Sequence, residues 1–251
     1  MRNHISYSVV YTYSKGMDQV SNGDFADGSA NQTNPANNAS EYGPSDYDVK
    51  HRVVATGLYT SPKIHAHNGI VDALVNGYQV NATYTYHTGY PWTPVTTNLN
   101  TVPIQNGAAT QNVVRPLAYN GGAGNSCSNT AFTTGSNFPN RTTANPGGGN
   151  YFVTALQFPT QVYKPGIGRN SFRGPCYQDV DMSLAKEFNH NFGERHTLLR
   201  IQANMYNAFN ELQLQPIGNN SGGSNIASAY FGYSQGSDSG RVIELLARFE
   251  F

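Results

Sequence analysis

The sequence predicts an all-β fold: an antiparallel transmembrane β-barrel segment of about six strands, with long extracellular loops and short periplasmic turns. Three observations lead there. Segments of about ten residues alternate apolar with polar side chains. The connections between them are by turns very long and short. No run approaches the roughly 18 apolar residues that a spanning helix requires.

The strands follow in order. Ile5 to Ser14 sets Ile5, Tyr7, Val9, Tyr11 and Tyr13 on one side and Ser6, Ser8, Val10, Thr12 and Ser14 on the other, the two-residue period of a strand with unlike faces. His51 to Thr60 is a weaker case. Tyr78 to Thr88 repeats the design, with Tyr78, Val80, Ala82, Tyr84 and Tyr86 against Gln79, Asn81, Thr83, Thr85 and His87. From Tyr177 to Phe188, Val180, Met182 and Leu184 oppose Asp179, Asp181 and Ser183; Thr197 to Tyr206 comes next. Arg241 to Phe251 sets Ile243, Leu245, Ala247, Phe249 and Phe251 against Glu244, Leu246, Arg248 and Glu250. Ten residues tilted by 45° rise about 23 Å, close to the apolar band of an outer-membrane barrel.

Lys15 to Lys50, Gly89 to Pro175 and Asn207 to Gly240 are long and rich in Asn, Gly, Asp and Ser, whereas Ser61 to Gly77 and Asn189 to His196 are short. Ile70 to Asn76 reads as one helical turn. Structureless loops beyond about 15 residues are uncommon in a compact sandwich, but a barrel collects them at one end. An up-and-down order then starts Ile5 and finishes Phe251 on the periplasmic side.

Composition narrows the function. The 251 residues carry 15 Lys+Arg against 15 Asp+Glu, and only 12% are charged, where soluble domains average about 25%. A nucleic-acid partner is excluded, because phosphate binding needs clustered Lys and Arg. Cys127 and Cys176 lack the spacing of a zinc, haem or thioredoxin-like site. They pair in an oxidising compartment or stand as two separate thiols; the spacing leaves both open.

Three stretches carry a resemblance: Gly43-Pro-Ser-Asp-Tyr-Asp-Val-Lys-His-Arg-Val-Val54; Gly168-Arg-Asn-Ser-Phe-Arg-Gly-Pro175 with the strand Val180 to Phe188; and Arg200-Ile-Gln-Ala-Asn-Met-Tyr-Asn-Ala-Phe-Asn210. In this order, with the terminal Arg248-Phe-Glu-Phe251, they resemble the carboxyl-terminal barrel of TonB-dependent outer-membrane receptors of the Oar-like branch. The resemblance implies a barrel of about 22 strands filled by a plug, and uptake of a nutrient ligand across the bacterial outer membrane. It implies as partners outer-membrane lipid, the remaining barrel and plug, the TonB complex reached through an amino-terminal part, and the barrel-assembly machinery, which reads Phe249 and Phe251. Neither plug nor signal peptide is visible, so residues 1–251 are expected to be the carboxyl-terminal portion of the barrel and not competent alone. Single-chain barrels begin at eight strands, and unpaired edges in hydrocarbon cost several kcal/mol per group.

No catalytic residues, metal site or cofactor are expected. Ser237-Asp-Ser-Gly240 lacks the glycines of a serine-protease motif, and His65-Ala-His67 offers two ligands without a third. Tyr90 and Trp92 follow a strand where it would leave the membrane; they anchor the barrel at the interface, the favoured reading, or stack on a ligand such as a sugar. Arg200, Gln202, Asn204, Glu244, Arg248 and Glu250 are expected to face the lumen, their opposite charges satisfying one another across strands. Arg169 and Arg173 are expected to tie the long loop to the strand below through backbone carbonyls. The rival reading is a secreted or cell-surface all-β adhesin or carbohydrate-binding protein, in which Val180, Met182, Leu199 and Ile201 would pack against a second sheet.

Overall fold

The computed structural model describes residues 4–19, 21, 38–64, 69–95, 115–116, 118–121, 126–138, 151–153, 167–192, 195–218 and 223–251. Its main element is one antiparallel sheet of six strands: β1 (Ile5–Tyr13), β2 (His51–Thr60), β3 (Tyr78–His87), β4 (Tyr177–Phe192), β5 (Arg195–Tyr206) and β6 (Val242–Glu250). Each strand pairs with its neighbour in sequence, so the order across the sheet is the order along the chain. This is the meander that the alternating connections predict.

The register carries the amphipathic pattern across the whole sheet. One row runs Ile5, Tyr59, Val80, Leu184, Ala203, Leu245. The next row, one residue along and so on the opposite face, runs Ser6, Leu58, Asn81, Ser183, Asn204, Glu244. A slip of one residue in any pair would break both rows, which is why the pattern fixes the pairing. Alternation is not strict: Leu58, Leu198 and Leu246 lie on the polar face, opposite Asn81, Asn189 and Gln202.

Among the described residues no second sheet packs on the apolar face. Ile5 is 65% exposed, Leu184 43%, Ile201 47% and Leu245 79%. In water such an area would be a severe liability, since soluble monomers rarely expose apolar patches beyond a few hundred Å². The sandwich form of the rival reading needs these side chains against a second sheet; the structure leaves them open. Ala185, on the polar face, is only 2% exposed.

Two expected boundaries shift. The β4–β5 ladder continues through Asn191 opposite His196 to Phe192 opposite Arg195, so the turn is tighter than Asn189 to His196. The helical turn expected at Ile70 to Asn76 is α1 (Gly69–Val75), one residue earlier. Both short connections lie at the end of the sheet holding Ile5, Thr60 and Tyr78. All three long ones lie at the end holding Tyr13, His51, His87, Tyr177 and Val242.

There the long connections build a cap. Its core is Trp92, Phe132, Phe138, Phe152, Phe172, Ile217, Ile226 and Phe231, gathered from two of the long connections, with Phe231 fully buried. The aromatic rings meet edge-on or tilted, as at Phe138 and Phe231, 4.7 Å apart. Short pairs tie it together: Met17–Asp18 with Gly43–Pro44, Pro91–Trp92 with Phe172–Arg173, and Ala118–Tyr119 with Phe152–Val153. The helix α2 (Asn129–Thr134) starts on Ser128 as N-cap and stops on left-handed Gly135. Cys127 and Cys176 form a disulfide, which settles the alternative the spacing left open and fastens the cap to the start of β4.

Candidate functional site

The two family-like stretches on either side of the cap meet each other. Arg169, 3% exposed, donates from Nε to the carbonyl of Glu41 at 3.0 Å and from Nη2 to that of Asp18 at 2.8 Å. Its guanidinium also pairs with the carboxylates of Asp18 and Asp46. Arg173 donates to the carbonyl of Asp48 at 2.5 Å and pairs with its side chain. The expected donation to backbone carbonyls is present, but the carbonyls of Glu41, Asp18 and Asp48 belong to the Lys15 to Lys50 connection and not to the strand below, and the carboxylates are an addition that sequence reasoning missed. Asp46 and Asp48, each 3% exposed, stand two apart in the first stretch, which was the available signal. Burial of these charges is tolerated because each is paired and hydrogen-bonded.

Close backbone contact completes the junction. Gly174 N donates to the carbonyl of Tyr90 at 2.8 Å, and a Cβ on Gly89 would lie 2.0 Å from the Gly174 oxygen, so only glycine fits there.

Trp92 needs correction. It is 2% exposed, with Phe138, Phe172 and Phe231 around its ring at 5.4 to 6.2 Å. A ring covered in this way neither anchors an interface nor stacks on a ligand; it is the centre of the cap core. The motif signalled an aromatic at the strand exit, but of the Phe residues that cover it Phe138 and Phe172 lie far along the same connection and Phe231 in the next long one. Tyr90 is half-buried, its ring 5.3 Å from His87, which stacks in turn on Tyr177 at 4.9 Å.

Beneath the cap, on the polar face, a cleft of about 500 Å³ opens at the upper ends of β4, β5 and β6. Tyr177, Asp179 and Asp181 enter it from β4, Tyr206 from β5, and Gln213 and Asp238 from the connection above. Asn207, in the left-handed region at φ 50°, turns the chain out of β5: its backbone N–H donates to Asp181 Oδ1 at 3.1 Å, and its side chain clasps the backbone of Glu211 at 2.8 Å through both amide atoms. Asp179 Oδ1 is buried without a hydrogen-bond partner among the described residues. Carboxylates, amides and tyrosines together suit a polyhydroxyl or cationic ligand. Sequence reading noticed the Asp179/Asp181 alternation but not its convergence with Asp238. Ser237 and Ser239 also line the mouth.

Below the cleft lie the expected lumen residues. Arg200, Gln202, Asn204, Glu244, Arg248 and Glu250 share the polar face by register. Arg200 stands directly opposite Arg248 on one side and Glu187 on the other, and pairs with Glu187 at 3.1 Å. A side-chain chain continues along β5, Arg200 Nε to Gln202 at 3.1 Å and Gln202 Nε2 to Asn204 at 2.7 Å. Arg248 pairs within its own strand with Glu250 at 2.6 Å. Phe249 and Phe251 lie at the far end of the sheet, exposed, with ring centroids 6.0 Å apart. His65 and His67 fall outside the described residues.

Comparison with known proteins agrees with this geometry. A family model described as an outer membrane beta barrel domain matches residues 1–244. No curated protein and no solved structure matches the chain. Since the match runs through five strands and into the sixth, the chain belongs to the outer membrane beta barrel domain family and resides in the bacterial outer membrane.

Proposed function

We propose that this sheet is the wall of a TonB-dependent receptor of the Oar-like kind, which takes up a nutrient ligand across the outer membrane. The reading is supported chiefly by one observation: a polar cleft holding Asp179, Asp181, Asp238, Tyr177 and Tyr206 lies at the capped end of the inward face, where an incoming ligand would first meet the barrel interior. Its two edge strands, β1 and β6, are completed by further strands, because an open edge in hydrocarbon leaves backbone groups without partners. A plug fills the lumen and relays force from TonB, and the outward Phe249 and Phe251 engage the barrel-assembly machinery.

Cells lacking the protein and cells lacking TonB are compared for uptake of a panel of labelled oligosaccharides, peptides and metal chelates. The proposal requires at least one compound whose uptake falls to background in both strains. Loss in the TonB strain alone, across the whole panel, would contradict it. Asp179→Asn with Asp181→Asn should raise the concentration needed for half-maximal uptake while leaving the protein in the outer membrane.

A further inference from the structure

Between β2 and β3, at the end of the sheet opposite the cap, α1 has the sequence Gly-Ile-Val-Asp-Ala-Leu-Val and no buried residue. Helical spacing gathers Ile70, Val71, Leu74 and Val75 into one stripe, with Asp72 away from it. All four are exposed, Ile70 at 71% and Leu74 at 58%. An isolated helix of seven residues is marginal in water, and in a globular domain an apolar stripe is normally turned onto the core. Here the side chains of the stripe are exposed instead.

What fixes the helix also shows where it lies. Lys186 is on the outward face of β4, opposite Tyr78 and Ile201. Its ammonium donates to the carbonyls of Leu74, at 3.2 Å, and Asn76, at the carboxyl end of α1. It also sits 4.0 Å from the ring centre of Tyr78 and 5.1 Å from that of Phe188. On the other flank, the Asn76 side chain accepts from Ile64 N at 2.6 Å and donates to Ile64 O at 2.7 Å. A lysine among apolar neighbours on a lipid-facing wall is stable only near the headgroups, where its stem lies along the wall and its charge reaches polar groups. Lys186 therefore marks the level of the periplasmic headgroups, and it holds α1 at that level. Tyr78 and Phe188 supply the aromatic girdle found there.

We propose that α1 is an interfacial helix, lying along the outward rim of the wall with Ile70, Leu74 and Val75 inserted into the phospholipids of the periplasmic leaflet. The lipid is favoured as occupant because the stripe continues the lipid-covered face of the sheet through Tyr78, Lys186 and Phe188, and because the exposed Ile64 extends it. Such helices bury their apolar face about 5–10 Å below the headgroup level. The connection then works as a float that sets how deep this part of the wall sits.

The test uses the full chain with Leu74→Cys, and separately Ile70→Cys, labelled with bimane; Cys127 and Cys176 are bonded and do not react. The labelled protein is purified from the outer membrane together with the strands that complete its barrel and is reconstituted in phosphatidylethanolamine and phosphatidylglycerol vesicles bearing a nitroxide near the headgroup or deep in the acyl chain. The shallow nitroxide should quench both labels about twofold more than the deep one, while aqueous iodide quenches them far less than a label at Lys63→Cys. Free quenching by iodide would overturn the proposal, leaving α1 in water. Shielding from both iodide and lipid nitroxide would overturn it too, placing a protein partner on the stripe. With Lys186→Met the helix loses its tether, and the difference between the two nitroxides should shrink at Leu74 while remaining unchanged at a mid-wall position such as Ala82→Cys, opposite Met182.

Discussion

Asn170 donates from Nδ2 to Asp46 Oδ1 at 2.6 Å, joining positions 124 residues apart in sequence. Asn170 also takes a left-handed backbone at φ 55° and bonds Thr93 Oγ1 through its N–H at 2.8 Å. Asn170→Ala should therefore destabilise the cap by about 2–4 kcal/mol, combining lost hydrogen bonds to a buried carboxylate with a strained φ. Asn170→Gly, which loses the same side-chain hydrogen bonds but accepts the left-handed backbone without strain, should recover about 1 kcal/mol of it. Trp92, the single tryptophan, reports cap unfolding by its emission. Equal losses in the two variants would remove the backbone part of this account.

Asp18 lies in the cap, outside the strands that cross the membrane, and its carboxyl is held below its ordinary 3.8. Burial acts to raise it and is outweighed by hydrogen bonds from Ser21, Arg169 and Ser45 and by the Arg169 charge. A depressed carboxylate gives stability that is full above its unfolded value and is lost as pH falls through the folded one. Cap stability in urea should thus decline below about pH 4. Asp18→Asn should be the less stable at neutral pH, with the gap to the native protein narrowing on acidification. A gap that stays constant down to pH 3 would show that Asp18 is not the linked group.

The Cys127–Cys176 bond spans 49 residues, and closing such a loop lowers the entropy of the unfolded chain by the equivalent of about 3–4 kcal/mol. Reduction, or Cys127→Ser with Cys176→Ser, should lower the urea midpoint of Trp92 emission while leaving strand content by circular dichroism intact. Loss of the sheet signal together with the cap would mean that the two do not unfold separately.

Much of this was legible in the chain. Period two in Ile5–Tyr13, Tyr78–His87 and Val242–Glu250 gave strands within a residue of their observed ends, because each row must keep one face apolar. Neutral pairing left β4 and β5 less sharp, since Lys186 interrupts the apolar set and Leu198 the polar one. The cap was not legible. Phe132, Phe138, Phe152 and Phe231 lie in connections with no periodicity, and their meeting around Trp92 depends on long-range contacts that no local pattern encodes. For the same reason Trp92 read as a surface aromatic, whereas for Arg169 and Arg173, inside a dense motif, the bonding to carbonyls was legible but not the connection that supplies them.

Lipid contact has an energetic signature. Met182→Arg, on the outward face of β4 about midway between Lys186 and the capped end, should cost about 2–4 kcal/mol, and Phe188→Arg, beside Lys186 at the periplasmic rim, about 0–1 kcal/mol. Folding titrations in phospholipid vesicles read both. Equal costs at the two positions would indicate a protein interior in place of a bilayer.

The most direct measurement scans nitroxide labels through Glu244, Leu245, Leu246, Ala247, Arg248 and Phe249 in the outer membrane, comparing collisions with oxygen, which enriches in lipid, and with a water-soluble nickel complex. The structure predicts strict alternation: Leu245, Ala247 and Phe249 favour oxygen, and Glu244, Leu246 and Arg248 favour nickel. Leu246 decides most, because it is apolar yet stands opposite Gln202 on the inward face. Labels at Leu245, Ala247 and Phe249 that collide with neither reagent would mean that protein covers the outward face, and the account of a lipid-facing wall would fail.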